Sequence, residues 1–264
     1  MPFVNLEETT IHYEEAGSGS LAYLFCPGLG GDGSGFVDHF DFWAEHFQRV
    51  LTWDYRGAGQ SSQAAKYNLP LFAKDLNAMM DALGIEKAVL HGVSWGGVVV
   101  QQFALDYVER CAAIVLDSTS SEVNVAASEN WYNRGEVARL GSAAQVGEFR
   151  PAFAGHTSSA QAAQQQGVQV KPEHLESYVA SARAIAGLRE HPFTPRLGQI
   201  TCPALVVAGG QDATAGAGGS VILSRNLPNA RLEIFQDAGH GVFRHKRDEF
   251  RELVLEFCRE HGVL

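Results

Sequence analysis

At 264 residues and 45% hydrophobic content, the chain is long enough to bury one large core. A formal net charge of -10, with no cluster of basic and aromatic residues to track a phosphate backbone, argues against a nucleic-acid partner. No run reaches the roughly 18 apolar residues a membrane span requires, and MPFVNLEETTIHYEE lacks the pattern of a targeting leader, so a cytoplasmic protein without a membrane partner is expected. The cysteines Cys26, Cys111, Cys202 and Cys258 lie far apart with no C-x-x-C pair, and read as buried thiols. His39 and His46 are not spaced as a helical ligand pair and are expected on a helix surface, so neither a metal nor a cofactor is implied.

In chain order, FVNLEETTIHYEEAGSG predicts two short antiparallel strands. Strand 21–26, helix 38–47, strand 49–53, helix 70–83 ended by Gly84, strand 87–91, helix 96–107 and strand 112–117 follow. The alternation resumes after residue 200 with PALVVAG, a helix near 219–226, the strand ARLEIF and a closing helix in which Phe250, Leu253, Val254 and Phe257 share one face. Such alternation specifies an α/β fold with a mostly parallel sheet covered on both faces. Between 121 and 198 the alternation stops; the segment is helix-like and polar, and reads as an insertion over the sheet. The expected domains are therefore a core of 1–120 and 199–264 and a helical cap of 121–198.

In LHGVSWGGVVVQQFAL, Gly92, Ser94 and Gly96 form G-x-S-x-G between a strand and a helix. A nucleophile on that sharp turn leaves no room for side chains two residues away on either side, which the glycines satisfy. A serine hydroxyl needs a base, and the base an orienting acid. QDAGHGVFRH supplies His240 in a loop after a strand, and LVVAGGQDATAG supplies Asp212 just past another. The order Ser94, Asp212, His240 is that of a nucleophile-elbow hydrolase. Asp117, at the end of AAIVLD, and Asp237, three residues before the histidine, are alternative acids. An oxyanion would need N–H donors; Trp95 follows the nucleophile, and Leu29 lies in the glycine-rich loop CPGLGGDGSG, beside Gly28.

That loop carries a competing pattern. Gly28, Gly30 and Gly33 have G-x-G-x-x-G spacing after a strand, and Asp54 follows about twenty residues on, as in a dinucleotide site. Against this, so many glycines leave little to start a helix, and a pyrophosphate needs a helix N-terminus at once. Asp54 and Arg56, in DYRGAGQSS, are better read as braces of loops near the site.

The motifs PGLGG, DYRGAGQSS, GVSWGG, the Asp212 loop and AGHG together resemble the α/β-hydrolase superfamily, over about 1–120 and 200–264. Within it the chain looks most like enol-lactonases and small esterases, then the carbon–carbon bond hydrolases of ring-cleavage pathways. The resemblance implies the α/β-hydrolase fold, a Ser94–His240–Asp212 triad and an oxyanion hole from Leu29 and Trp95. Two departures stand out: Pro27-Gly28 replaces the common His-Gly, and DATAGAGG lacks the proline many relatives carry after the acid, which implies a looser or longer Asp212 loop. Trp131, Tyr132 and Phe153 are candidates to line a substrate site under the cap, while His156, His174 and His191 are expected at the surface. The expected activity is hydrolysis of a small-molecule ester or lactone through an acyl-enzyme. Alternatives are carbon–carbon cleavage of a diketone, a lyase or perhydrolase reaction on the same triad, a ligand receptor that retains the triad, or a nicotinamide oxidoreductase. The partner is a small-molecule substrate, and the sequence is compatible with a homo-oligomer.

Overall fold

The computed structural model describes residues 2–145 and 170–264; Phe153 and His156 lie outside them. Eight strands form one sheet: β1 (Phe3–Asn5), β2 (Thr10–Gly17), β3 (Leu21–Cys26), β4 (Arg49–Trp53), β5 (Lys87–Val93), β6 (Cys111–Asp117), β7 (Ala204–Gly209) and β8 (Ala230–Phe235), in the order β1-β2-β4-β3-β5-β6-β7-β8. The pairs β1–β2 and β2–β4 are antiparallel and the rest parallel. The expected strands 21–26, 49–53 and ARLEIF match β3, β4 and β8 in extent, because each is an apolar run bounded by turn residues.

Successive strand residues feed opposite layers. Leu24, Leu90, Ile114 and Val206 pack with Phe72, Met79 and Phe103 of the helices α2 (Leu69–Ala82) and α3 (Trp95–Asp106). Tyr23, Val89, Val115 and Val207 pack with Trp43 of α1 (Phe40–Ala44) and with Phe250 and Phe257 of the closing helix (Arg247–Glu260). All four cysteines are buried and unpaired. Among the described residues, no helix is long and apolar enough to cross a membrane.

Between β6 and β7 run α4 (Val125–Gln145) and α5 (Leu175–Gly187), which pack on each other. Ser177 Oγ–H donates to Arg56 O (2.8 Å), and His174 Nε2 bonds Gly59 O (3.0 Å), tying α5 to the loop after β4. His174 is thus partly buried, contrary to its expected surface place, while His191 is exposed as expected.

The stretch after the glycine-rich loop departs from the expected helix 38–47. A 3-10 helix spans Gly33–His39, and α1 follows for a turn and a half. Asp32 starts it early, its carboxylate accepting the Ser34 N–H (3.0 Å). The glycines therefore do admit a helix start. His39 is also moved from the expected helix surface into the core, 5.4 Å from the Phe243 ring; burial, reinforced by Arg247 and Arg251, pushes its pKa down to about 4.

Candidate active site

β5 continues to Val93, and α3 begins at Trp95, so Ser94 alone makes the turn, at φ 56° and ψ -114°. A non-glycine residue at such a φ is strained and must be held by its surroundings. Its N–H donates to Asp117 O (2.9 Å), across the adjacent strand. A Cβ on Gly96 would strike the carbonyl oxygen of Cys26, and one on Gly92 would lie 2.5 Å from Gly96 O. The elbow is thus pressed against the end of β3, which is why the glycine-rich loop lies beside it. A Cβ on Gly28 would be 3.8 Å from Ser94 Cβ.

Asp212 and His240 meet at the sheet edge: His240 Nδ1 bonds Asp212 Oδ2 at 2.8 Å. The carboxylate's other oxygen accepts the N–H groups of Thr214 (2.7 Å) and Ala215 (3.0 Å), so the acid is fixed by its own turn. This loop is tight despite lacking proline, contrary to the expectation of looseness. Burial pushes the Asp212 carboxyl upward, but the bonds from His240, Ala215 and Thr214 outweigh it and hold the group below the usual carboxylate range. The Asp212 side chain is buried and that of His240 is about one-third exposed. Gly241 follows at φ 77°, where a Cβ would lie 3.8 Å from Val93 Cγ1, so the histidine loop abuts the elbow.

The alternative acids are engaged elsewhere. Asp117 accepts the backbone N–H groups of Val242 (3.0 Å) and Phe243 (3.1 Å) and is fully buried; burial raises its pKa against those bonds. Asp237 pairs with Lys246 at 2.5 Å.

Asp54 resolves the competing dinucleotide pattern. Its carboxylate accepts the N–H groups of Gly33 (2.7 Å) and Gln60 (2.8 Å) and bonds His12 Nδ1 (2.9 Å). The carboxylate oxygens a ribose would need, and the Gly33 N–H a phosphate would need, are already bonded within the chain. Arg56 forms a two-pronged pair with Asp75, both contacts at 2.6 Å, and so braces the loop as read from sequence. Where relatives place histidine, Pro27 is braced through its carbonyl, which accepts Tyr55 Oη–H at 2.9 Å. The N–H of Trp95 opens α3 and precedes any intrahelical acceptor.

Two cavities meet at Trp95. One of about 440 Å³ holds Ser94 with Thr119, Glu122, Trp131 and Ile185. The other, about 350 Å³, holds Gly28, Leu29, Arg134, His174 and Tyr178. Trp131 thus reaches the site. Tyr132, one residue further round the helix, lines neither cavity; it is half exposed and its ring carries the Arg183 guanidinium. A larger cleft of about 1060 Å³ lies on the outer side of α5, and none of Ser94, Asp212 and His240 lines it. Sequence reasoning missed Glu122, Arg134, Tyr178, His12 and Tyr55, whose neighbours are distant in the chain. Only the DYRGAGQSS loop hinted at such bracing. Among the described residues, no histidine, cysteine and carboxylate cluster could hold a metal ion.

The fold has counterparts among known proteins. A 2-hydroxy-6-oxo-6-phenylhexa-2,4-dienoate hydrolase of Comamonas testosteroni is 28% identical, the match covering 97% of this chain and 93% of the relative. A 2-hydroxy-6-oxononadienedioate/2-hydroxy-6-oxononatrienedioate hydrolase of Burkholderia vietnamiensis is 27% identical over 96% of this chain and 92% of its own. The crystal structure of the enol-lactonase from Burkholderia xenovorans superposes with a TM-score of 0.78 at 25% identity, covering 98% of this chain and all of that one. A family profile described as the alpha/beta hydrolase fold matches residues 24–244. The chain belongs to the α/β-hydrolase family.

Proposed function

We propose that this chain is a serine hydrolase that cleaves a small-molecule ester or lactone through an acyl-enzyme. The observation that carries the reading is the His240–Asp212 bond at 2.8 Å, with the acid fixed by two backbone N–H groups, on the sheet edge where Ser94 stands on a strained elbow. Asp212 accepts Nδ1–H, which leaves Nε2 of His240 as the base. That nitrogen takes the Ser94 hydroxyl proton as Oγ attacks the substrate carbonyl carbon. The N–H groups of Leu29 and Trp95 receive the developing oxyanion. His240 returns the proton to the leaving oxygen, which departs from an ester or stays tethered in an opened lactone. Water, deprotonated by His240, then attacks the acyl-enzyme and releases the acid and Ser94. α4 and α5 form a cap, and the cavity holding Ser94 and Trp131 receives one side of the scissile bond.

The test is hydrolysis of a p-nitrophenyl acyl ester. Turnover by the wild type and a fall to the background rate in Ser94→Ala are expected; turnover retained by the variant overturns the assignment. A second reading is favoured by the dienoate hydrolases among the relatives: the same residues would cleave a carbon–carbon bond in a vinylogous diketone. Product analysis over a panel of lactones, aryl esters and ring-cleavage diketones separates the two, since fold and triad do not.

A further inference from the structure

Asp117 is a fully buried carboxylate that the chemistry above does not use, and Ser118 beside it is, like Ser94, a strained residue. Among the described residues, only Ser94 (φ 56°) and Ser118 (φ 55°) are non-glycine residues at positive φ. The two are joined by one seam. The Asp117 carbonyl accepts the N–H of Ser94 (2.9 Å). Its carboxylate accepts Ser118 Oγ–H (2.8 Å) and the N–H groups of Val242 (3.0 Å) and Phe243 (3.1 Å). Ser118 Oγ in turn accepts the N–H of Gly241 (2.9 Å), the residue after the base. The Ser118 N–H donates to Val207 O on β7 (2.9 Å), which holds its unusual backbone in place.

We infer that Asp117 and Ser118 are positioning residues: a dipeptide clamp whose main chain holds the nucleophile elbow and whose side chains hold the loop of the base. The inference rests on the Ser94–His240 reading above. Three consecutive N–H groups, from Gly241 to Phe243, have their acceptors here. Asp212 holds the imidazole through Nδ1, whereas these acceptors hold the backbone just after it and tie that backbone to the elbow through the Asp117 carbonyl. The strain at Ser118 follows from this: the left-handed backbone aims Oγ back toward both the Asp117 carboxylate and the Gly241 N–H. A residue kept at positive φ against its preference is a sign that its side chain is needed in that direction.

The probe is a small alkyl fluorophosphonate, from which Ser94 Oγ displaces fluoride at phosphorus only when a base removes its proton. Ser94→Ala and wild type define whether the site reacts at all; an unreactive wild type overturns the proposed function and not merely the clamp. Given a reactive wild type, Ser118→Ala and Ser118→Gly separate the clamp from simple strain. Both lose the acceptor, but glycine also relieves the backbone. The clamp predicts inactivation slowed about tenfold or more in both, since a misplacement of about 1 Å can cost about 100-fold. It also predicts a matching fall in kcat for an activated ester at unchanged KM. Wild-type rates in both variants, or recovery in the glycine variant alone, overturn it. Asp117→Asn, which turns one acceptor into a donor facing a backbone N–H, is expected to lose more than either. Thermal unfolding of each variant identifies any loss due to misfolding, and the serine pair carries the test where the asparagine variant does not fold.

Discussion

Asp54 and Asp212 are the same residue type just past the ends of parallel strands, and their surroundings give them different work. Asp212 leaves one oxygen for His240 after two backbone N–H groups take the other. Asp54 spends its oxygens on the N–H groups of Gly33 and Gln60 and on His12, and so fixes the loop that carries Leu29. Asp212→Asn should therefore keep the fold and lose about 10³- to 10⁴-fold in kcat, because the amide cannot hold the required histidine tautomer; steady-state kinetics with an activated ester checks this. Asp54→Asn should instead lower stability by about 1–3 kcal/mol, seen in the urea midpoint, since its amide N–H₂ opposes a bonded donor. The places of Ser94, Asp212 and His240 just past the ends of parallel strands were legible because each stands in a short local motif. Asp54 was ambiguous because spacing to Gly33 fits a ribose acid and a loop brace equally. Ser118 gave no signal at all: its partner Gly241 lies 123 residues away.

Elements were legible where one local pattern decides them. β3, β4 and β8 are apolar runs and fall where expected, whereas the 3-10 helix Gly33–His39 depends on a cap by Asp32 that the flanking glycines conceal. α3 is buried along nearly its whole length, so its helical period is hidden and its start is set by the elbow rather than by a capping side chain. Its first turn has no room for a β-carbon at Gly96 or Gly97. A Cβ on Gly96 would enter the Cys26 carbonyl, and one on Gly97 would lie 2.5 Å from Thr119 Cγ2. Gly97→Ala must displace the Thr119 side chain beside Ser94, and overpacking of this kind costs about 1–3 kcal/mol. Gly96→Ala, which meets immobile backbone, is expected to do worse. A lower melting temperature for Gly97→Ala, with a still larger fall or no soluble protein for Gly96→Ala, is the expected order in a thermal scan.

At the scale of the molecule, the sheet and its two apolar layers follow from alternation of strand and helix, and this much the sequence conveyed. The polar groups inside those layers it did not. His91 is fully buried on β5, stacked on Phe250 at 5.1 Å, with Tyr23 Oη hydrogen-bonded to its Nδ1 at 3.1 Å. Burial pushes its pKa down to about 3, with a smaller push from His39. A folded pKa below the unfolded value means that the folded state refuses a proton the unfolded chain accepts. The stabilisation is complete above the ordinary histidine pKa of about 6.5 and is lost as pH falls toward 3, by up to about 1.4 kcal/mol per pH unit from this residue. His39 acts in the same direction down to about 4. Urea unfolding at pH 7 and pH 5 should show the loss, and His91→Gln, though less stable throughout, should show a flatter dependence; parallel curves for the two proteins would contradict the assignment.

The seam between Asp117 and the histidine loop also bears on how the chain folds. β6 pairs β7 between Ile114 and Ala204, so a loop of ninety residues must close before Val207 can meet Ser118, and the Gly241 and Phe243 contacts close longer ones still. Closure over such lengths adds little to the equilibrium cost but slows the route to the native state. The elbow and its helix are complete by residue 106, yet His240 cannot be in place until the C-terminal third has docked. On dilution from denaturant, helical signal should therefore return before reactivity of Ser94, and the interval between them measures the time needed to shut the seam.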